Sequence, residues 1–227
     1  MKYFWRLVFN LYICTNNNMY EQIKQFMRKP NYDKFPSTVI AGTIFQGWDE
    51  IRGILSDCLK SRNVLAVDCY TGVYEEELVR ELSKLSARLV LVRDLYKEES
   101  ELRCMTERFM TEDVLFGYVT NLCISDYFDA EKLEDARRCA CDASTPLIII
   151  GTGAGMVAPG ATLVYVDMAR WEIQQRCRRH EVKALGIDNR EDAVSLQYKR
   201  GYFNDWRICD RYKSTLFEHV DYWLGSH

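Results

Sequence analysis

Neither a Cys-x-x-Cys pair nor a His pair at metal-ligand spacing occurs in this chain, whose three His are His180, His219 and His227. That removes the ligand spacing of a structural zinc site, and no metal is expected. Proline and glycine are scarce, at 4 and 12 of 227 residues, which excludes collagenous and low-complexity chains. No apolar run reaches the roughly 18 uninterrupted residues of a membrane-spanning helix, so no membrane association is expected. Charge of one sign is missing too: 30 Lys and Arg against 33 Asp and Glu leave −3, which argues against a general nucleic-acid coat protein. What is present is an ordinary globular composition, 48% hydrophobic and 28% charged, sufficient for one core of domain size. The nine Cys, an odd number, read as reduced, buried thiols of a cytoplasmic protein.

The first 14 residues are apolar and aromatic, but Arg6 interrupts them and Thr15 to Asn18 is no small-residue cleavage site. Residues 1–30 therefore read as an N-terminal extension with a short helix over 20–28, with Met19 as an alternative start. Residues 31–227 read as a single domain, and the end at Asp221 to His227 has the look of a chain that could continue.

Within that domain, Val39 to Ala41 is a candidate short strand, and apolar residues at Trp48, Ile51, Ile54, Leu55 and Leu59 mark a helix over Trp48–Lys60. The pattern then alternates. Short apolar strands are expected at Val64–Asp68, Leu89–Val92, Val114–Phe116, Leu147–Ile150 and Thr162–Val166. Helices are expected at Glu75–Leu85, Glu98–Phe109, Asp129–Cys139 and Met168–Arg179. From Arg190 to Leu224 the chain reads as mostly helical, with a break near Gly201. Alternation of this kind predicts an α/β fold, a three-layer parallel sheet with helices on both faces, and ligands are sought beyond the carboxyl ends of its strands.

The loop after the first strand, Asp68 to Glu77, has one glycine, Gly72, three Glu and no Lys. A polyphosphate loop needs several glycines, a Lys and a Ser or Thr for Mg²⁺. Acids in a first helical turn suit the helix dipole and would repel a polyphosphate. After the second strand, Asp94 could serve as a base towards a hydroxyl or hold Mg²⁺ through water; it could equally cap a helix or form a surface ion pair. Gly151-Thr-Gly-Ala-Gly155 lacks the long following helix of a dinucleotide fingerprint and reads as a turn between strands, whose glycines could let a ligand approach the backbone. Between Arg170 and Lys213 stand eleven Lys and Arg against seven Asp and Glu. Arg176 and Arg179 share a helical face, and arginines there could bear on phosphate oxygens or simply form a solvated face.

Taken in order, these loops resemble the uridine kinase-like branch of the P-loop kinases. Asp94 and Tyr96 match that family's strand-end Asp with a Tyr close behind, and Ser125 to Leu133 its Asp-Ala-Phe-Asp segment. Asp167 with Arg170, Arg176, Arg178 and Arg179 matches its Asp-ended strand and Arg-rich lid. The family's Gly-Lys-Ser/Thr is missing, with Gly72-Val-Tyr in its place: the phosphate loop is lost. From about Tyr32 the chain also resembles the N-terminal, kinase-like domain of long bacterial class I mannose-6-phosphate isomerase-like proteins, through Tyr32 to Ser37, Val67 to Val73, Leu163 to Arg176, Tyr198 to Phe203 and Trp206-Arg207. There a cupin barrel carries the metal and the isomerase chemistry; this chain contains no cupin.

These resemblances imply a degenerate kinase-like module that binds a phosphorylated sugar, a nucleotide or a cupin partner domain without catalysis. Gly72, Tyr96, Arg170, Arg176, Arg178 and Arg179 would be its ligand-binding residues. The alternative is an active small-molecule phosphotransferase in which Asp94 is the base. No cofactor is implied, except Mg²⁺ with a nucleotide under that alternative.

Overall fold

The computed structural model describes residues 42–226, so the expected helix over 20–28 and the strand over 39–41 lie outside the described residues. From Trp48 onward the chain alternates helices with strands. Helix α1 (Trp48–Ser61) precedes β1 (Val64–Cys69), α2 (Glu75–Leu82) and β2 (Arg88–Leu91). A 3₁₀ turn over Val92–Leu95 leads to α3 (Glu99–Met110), and a second over Ile124–Tyr127 to α4 (Ala130–Cys141). Then come β3 (Leu147–Gly151), a single turn α5 (Ala154–Val157), β4 (Thr162–Asp167) and α6 (Arg170–Arg178). The chain closes with α7 (Val194–Arg200), a π turn over Gly201–Asp205, α8 (Trp206–Leu216) and β5 (Tyr222–Gly225).

The five strands form one sheet in the order β2-β3-β1-β4-β5, every pair parallel. Parallel ladders need crossovers, and the residues of the three inner strands show the consequence: Leu65 to Cys69, all of β3 and Thr162 to Val166 are buried on both faces. Ile148, Ile149 and Ile150 have no exposed surface at all. Their β-branched side chains suit a pleat packed from both sides. On the helices, α2 turns Leu78 and Leu82 inward and keeps three Glu in its first turn. Asp129 opens α4, its carboxylate accepting hydrogen bonds from the Glu131 and Lys132 amides at 3.0 Å each.

Four expectations change. Val114–Phe116 is not a strand. The Asp113 carboxylate accepts the Leu115 and Phe116 amides at 2.7 Å, and the Thr111 hydroxyl donates to the Phe116 carbonyl. That local turn takes the backbone groups a ladder would need and leaves Val114, Leu115 and Phe116 exposed. The fifth strand is Tyr222–Gly225, in a stretch whose composition reads as helical. Gly201 does not break the last helix: α7 continues through the π turn into α8, because a Cβ at 201 would come within 2.6 Å of the Trp206 ring and glycine admits it. The thiols are mixed. Cys69, Cys177 and Cys209 are buried, Cys58 is half-buried, and Cys104, Cys123, Cys139 and Cys141 are exposed. No helix among the described residues is long and apolar enough to cross a membrane.

Candidate functional site

Leaving β1, the chain crosses to β2 in one direction; leaving β3, it crosses to β4 in the other, although β1 and β3 are neighbours. With right-handed crossovers the loops after β1 and β3 diverge to opposite faces and open a crevice between them. A cleft of about 490 Å³ lies there. Its floor is the loop after β1 (Thr71 to Glu76), the turn after β2 (Arg93, Asp94, Tyr96) and Thr152 after β3, and its roof is the segment from Glu181 to Asp188 with Arg190.

The loop after β3 presents its amides, and an anion does meet them, but it is the chain's own. Asp68, fully buried near the end of β1 and in register with Gly151, accepts from Gly153 N at 3.1 Å, Gly155 N at 2.8 Å and the Tyr212 hydroxyl at 2.6 Å. Burial raises its pKa from 3.8 to about 6 against the pull of those three donors. The glycines that could have received a ligand's oxygens are thereby engaged from within.

At the start of α2, Glu75 points towards Gly151, its carboxylate oxygen 3.4 Å from where a Cβ on that glycine would stand. Its closest cation is Arg93, at 3.8 Å. Burial, with Glu76, Asp94 and Asp68 close by, raises its pKa to about 7, and Arg93 offsets only part of this. Among the described residues Glu75 takes no hydrogen bond from any donor, and Asp94, exposed at the rim, takes neither a hydrogen bond nor an ion pair. The cleft's cations are already held: Arg93 by Glu76 at 3.0 Å, Arg190 by Asp188 at 2.7 Å and Lys183 by Asp188 at 3.3 Å.

Gly72, Asp94 and Tyr96 thus line one cleft. Gly72 has φ +89, and a Cβ there would press on Ile173 at 3.2 Å, so the loop turns there on a glycine. Tyr96 is a pillar, not a free ligand group: it is buried, its hydroxyl donates to the Thr152 carbonyl at 2.6 Å, and its ring stands edge-on to Phe128. The four arginines are elsewhere. Arg176 is 3% exposed and braces the back of the loop, donating to the carbonyls of Gly72 at 2.9 Å and Ser226 at 3.1 Å and to Glu172, with its guanidinium over the Tyr74 ring. Arg170 is held by Asp210 and lies over Trp206. Arg179 binds Glu172 and Glu181, and Arg178 is exposed near Tyr198. None of the four lines the cleft. Asp167, the strand-end acid, holds Lys213 at 2.6 Å.

Sequence reasoning missed Asp68 and Tyr212, which engage the loop after β3 without lining the cleft, and Glu75, which lines it. An acid near the end of one strand and a Gly-x-Gly-x-Gly after another are the only trace of the first two.

A family model described as a domain of unknown function, DUF8485, matches residues 47–227. No curated protein matches the chain. Among solved structures, a gluconokinase from Sinorhizobium meliloti 1021 is similar at 10% identity and a TM-score of 0.37, covering 72% of this chain and 81% of its own.

Proposed function

Since the chain belongs to the DUF8485 family, whose description assigns no activity, we propose from its own residues that it is a kinase-like binding module that has given up phosphoryl transfer. One observation carries this reading: the Asp68 carboxylate occupies the Gly153 and Gly155 amides. The Gly153 and Gly155 amides are spent on an internal carboxylate, and the loop after β1, where the resemblance puts the phosphate loop, has one glycine and no Lys and is followed by Glu75, which repels a polyphosphate. The resemblance to the uridine kinase-like branch of P-loop kinases supplies the architecture; the missing Gly-Lys-Ser/Thr agrees with the loss of chemistry.

The cleft favours an unphosphorylated, polar ligand, such as a free sugar or nucleoside, neutral or carrying a positively charged nitrogen. A phosphorylated sugar or nucleotide would have to displace Glu76 from Arg93 and Asp188 from Lys183 and Arg190. Glu75, which takes no hydrogen bond among the described residues and has Arg93 at 3.8 Å, and Asp94, which has no partner there, stand ready to accept hydrogen bonds from hydroxyl or amino groups. From the second resemblance, a cupin domain is the protein partner to test beside the small molecules.

A thermal-shift panel tests the reading: uridine, mannose and a simple amine against ATP·Mg²⁺, mannose 6-phosphate and phosphate. Stabilisation by an unphosphorylated member, lost on Glu75→Gln or Asp94→Asn, is the expected result. A shift with ATP·Mg²⁺, with turnover that disappears on Asp94→Asn, establishes the alternative. That alternative has one observation in its favour, the place of Asp94 in the same cleft as Gly72.

A further inference from the structure

The polar groups that line the cleft divide into donors already in use and acceptors left over. Three cations line it, and each is bound to a carboxylate of the chain. Arg93 lies 3.0 Å from Glu76 and 3.8 Å from Glu75. Arg190 donates two hydrogen bonds to Asp188, at 2.9 and 2.7 Å, and Lys183 reaches the same carboxylate at 3.3 Å. The two tyrosine hydroxyls are spent as donors as well, that of Tyr74 on Glu181 at 2.5 Å and that of Tyr96 on the Thr152 carbonyl at 2.6 Å.

Against those three cations stand six carboxylates. Glu76 and Asp188 hold the lining cations. Glu99 and Glu181 are served by cations that do not line the cleft, Arg103 at 2.7 Å and Arg179 at 2.9 Å. Glu75 and Asp94 are left over, Glu75 inside with 24% of its side chain exposed and Asp94 at the rim. A carboxylate accepts hydrogen bonds and donates none. A hydroxyl brings an acceptor along with its donor, whereas a protonated nitrogen brings donors only, which is what these walls lack. Burial raises the Glu75 carboxyl to about 7, with Arg93 opposing the rise and Glu76 on its own helix, Asp94 on the turn after β2 and Asp68 on β1 adding to it. A cation beside Glu75 reverses that cost, and uncompensated carboxylates in a crevice draw cations in.

We propose that the cleft binds an organic cation, a small polar molecule whose ammonium or guanidinium group donates to the Glu75 carboxylate while Asp94 at the rim strengthens the attraction. A volume of about 490 Å³ admits such a molecule. The inference rests on the reading of the cleft as a ligand site and narrows it, from polar molecules in general to those that carry a positive nitrogen.

Thermal shifts of the full chain at pH 7 and fixed ionic strength test it with glucosamine, glucose, N-acetylglucosamine and agmatine. Glucosamine and agmatine should stabilise the protein; glucose, the same skeleton with a hydroxyl for the ammonium, and N-acetylglucosamine, in which the charge is removed, should not. Equal shifts with glucose, or none with either amine, overturn the organic cation; in the first case the polar-ligand module stands. A shift confined to ATP·Mg²⁺ overturns both readings. Agmatine keeps its charge between pH 6 and 8, so its affinity should rise about tenfold over that range as Glu75 ionises. Glu75→Gln should weaken agmatine binding at least tenfold at pH 8 and remove the rise, whereas Asp57→Asn on α1, outside the cleft, should leave both as they are. An affinity that ignores pH, or one that survives Glu75→Gln, places the cation on another carboxylate and overturns the assignment.

Discussion

Two aspartates lie out of reach of solvent, and they are accommodated by opposite means. Asp68 has three donors and no cation: two glycine amides and a tyrosine hydroxyl surround its carboxylate. Asp205 has a cation, Arg200, and a single amide donor, that of Leu185. The first is a neutral cage around a charge, the second an ion pair with an arm left over. The difference lies in what each aspartate connects. Asp68 joins β1 to the loop after β3 and to α8, so its partners are two glycine amides of that loop and a tyrosine of that helix. Asp205 joins the π turn to a roof segment with positive φ at Gly186 and, just before it, at His180. Two backbone dipoles and one hydroxyl hold the first carboxylate at the end of β1, whereas the second carboxylate gives one oxygen to a roof amide and meets a guanidinium with the other.

That contrast can be broken at four points. The largest effect belongs to Asp205→Ala, which strands the buried Arg200 charge and should cost about 3–5 kcal/mol in denaturant unfolding at every pH between 5 and 8. A loss under about 1 kcal/mol would show that Arg200 reaches water.

Next comes the pH profile of Asp68. Its pKa is raised on folding, from 3.8 to about 6, so its contribution is most favourable below the unfolded value and is lost as pH rises through 6. The shift corresponds to about 3 kcal/mol. Asp68→Asn should flatten the wild-type decline between pH 4 and 6; an unchanged slope would assign the decline to other groups. Tyr212→Phe removes one donor from the cage and should cost about 1–2 kcal/mol, with the window of decline moved to higher pH because one charge-stabilising bond is gone. The smallest effect is that of Glu75→Gln. This group is raised from 4.5 to about 7 and is partly exposed, so the variant should gain less than about 1 kcal/mol, a gain that builds between pH 4.5 and 7 and is constant above 7. A larger gain would mean that Glu75 is far more buried than its 24% side-chain exposure, and no gain up to pH 7 would mean that its carboxyl is not raised on folding.

Much of the framework was legible because it is local. Val64–Asp68, Leu147–Ile150 and Thr162–Val166 are short β-branched runs bounded by turns, and they are the three inner strands. Tyr222–Gly225 escaped because an edge strand of four residues with alternating exposure carries little pattern of its own. Val114–Phe116 misled because apolar runs are shared by strands and by exposed loops, and a side-chain turn at Asp113 decided between them. In the cleft, Gly72, Asp94 and Tyr96 were found from their places after strands, a topological rule that needs no side-chain geometry. The arginines near Arg176 misled because composition shows that a cation is present, not which carboxylate already holds it. Asp68 looked like the acid that closes a strand; its role depends on the register that sets it beside Gly151, and a register between distant segments leaves no mark in either one.

The central place of β1 also sets the order in which the molecule can be made. Val67 pairs with Ile150 on one side and Val164 on the other, roughly 80 to 100 residues later in the chain. While the polypeptide emerges from the ribosome, this central strand is synthesised before the other four and stays unpaired until β3 and β4 have followed. Until both arrive it is an unpaired, sticky ribbon, and loop closure over that length precedes any reward from pairing. The chain is therefore a slow folder, most exposed to aggregation in the interval before residue 166 is free to dock.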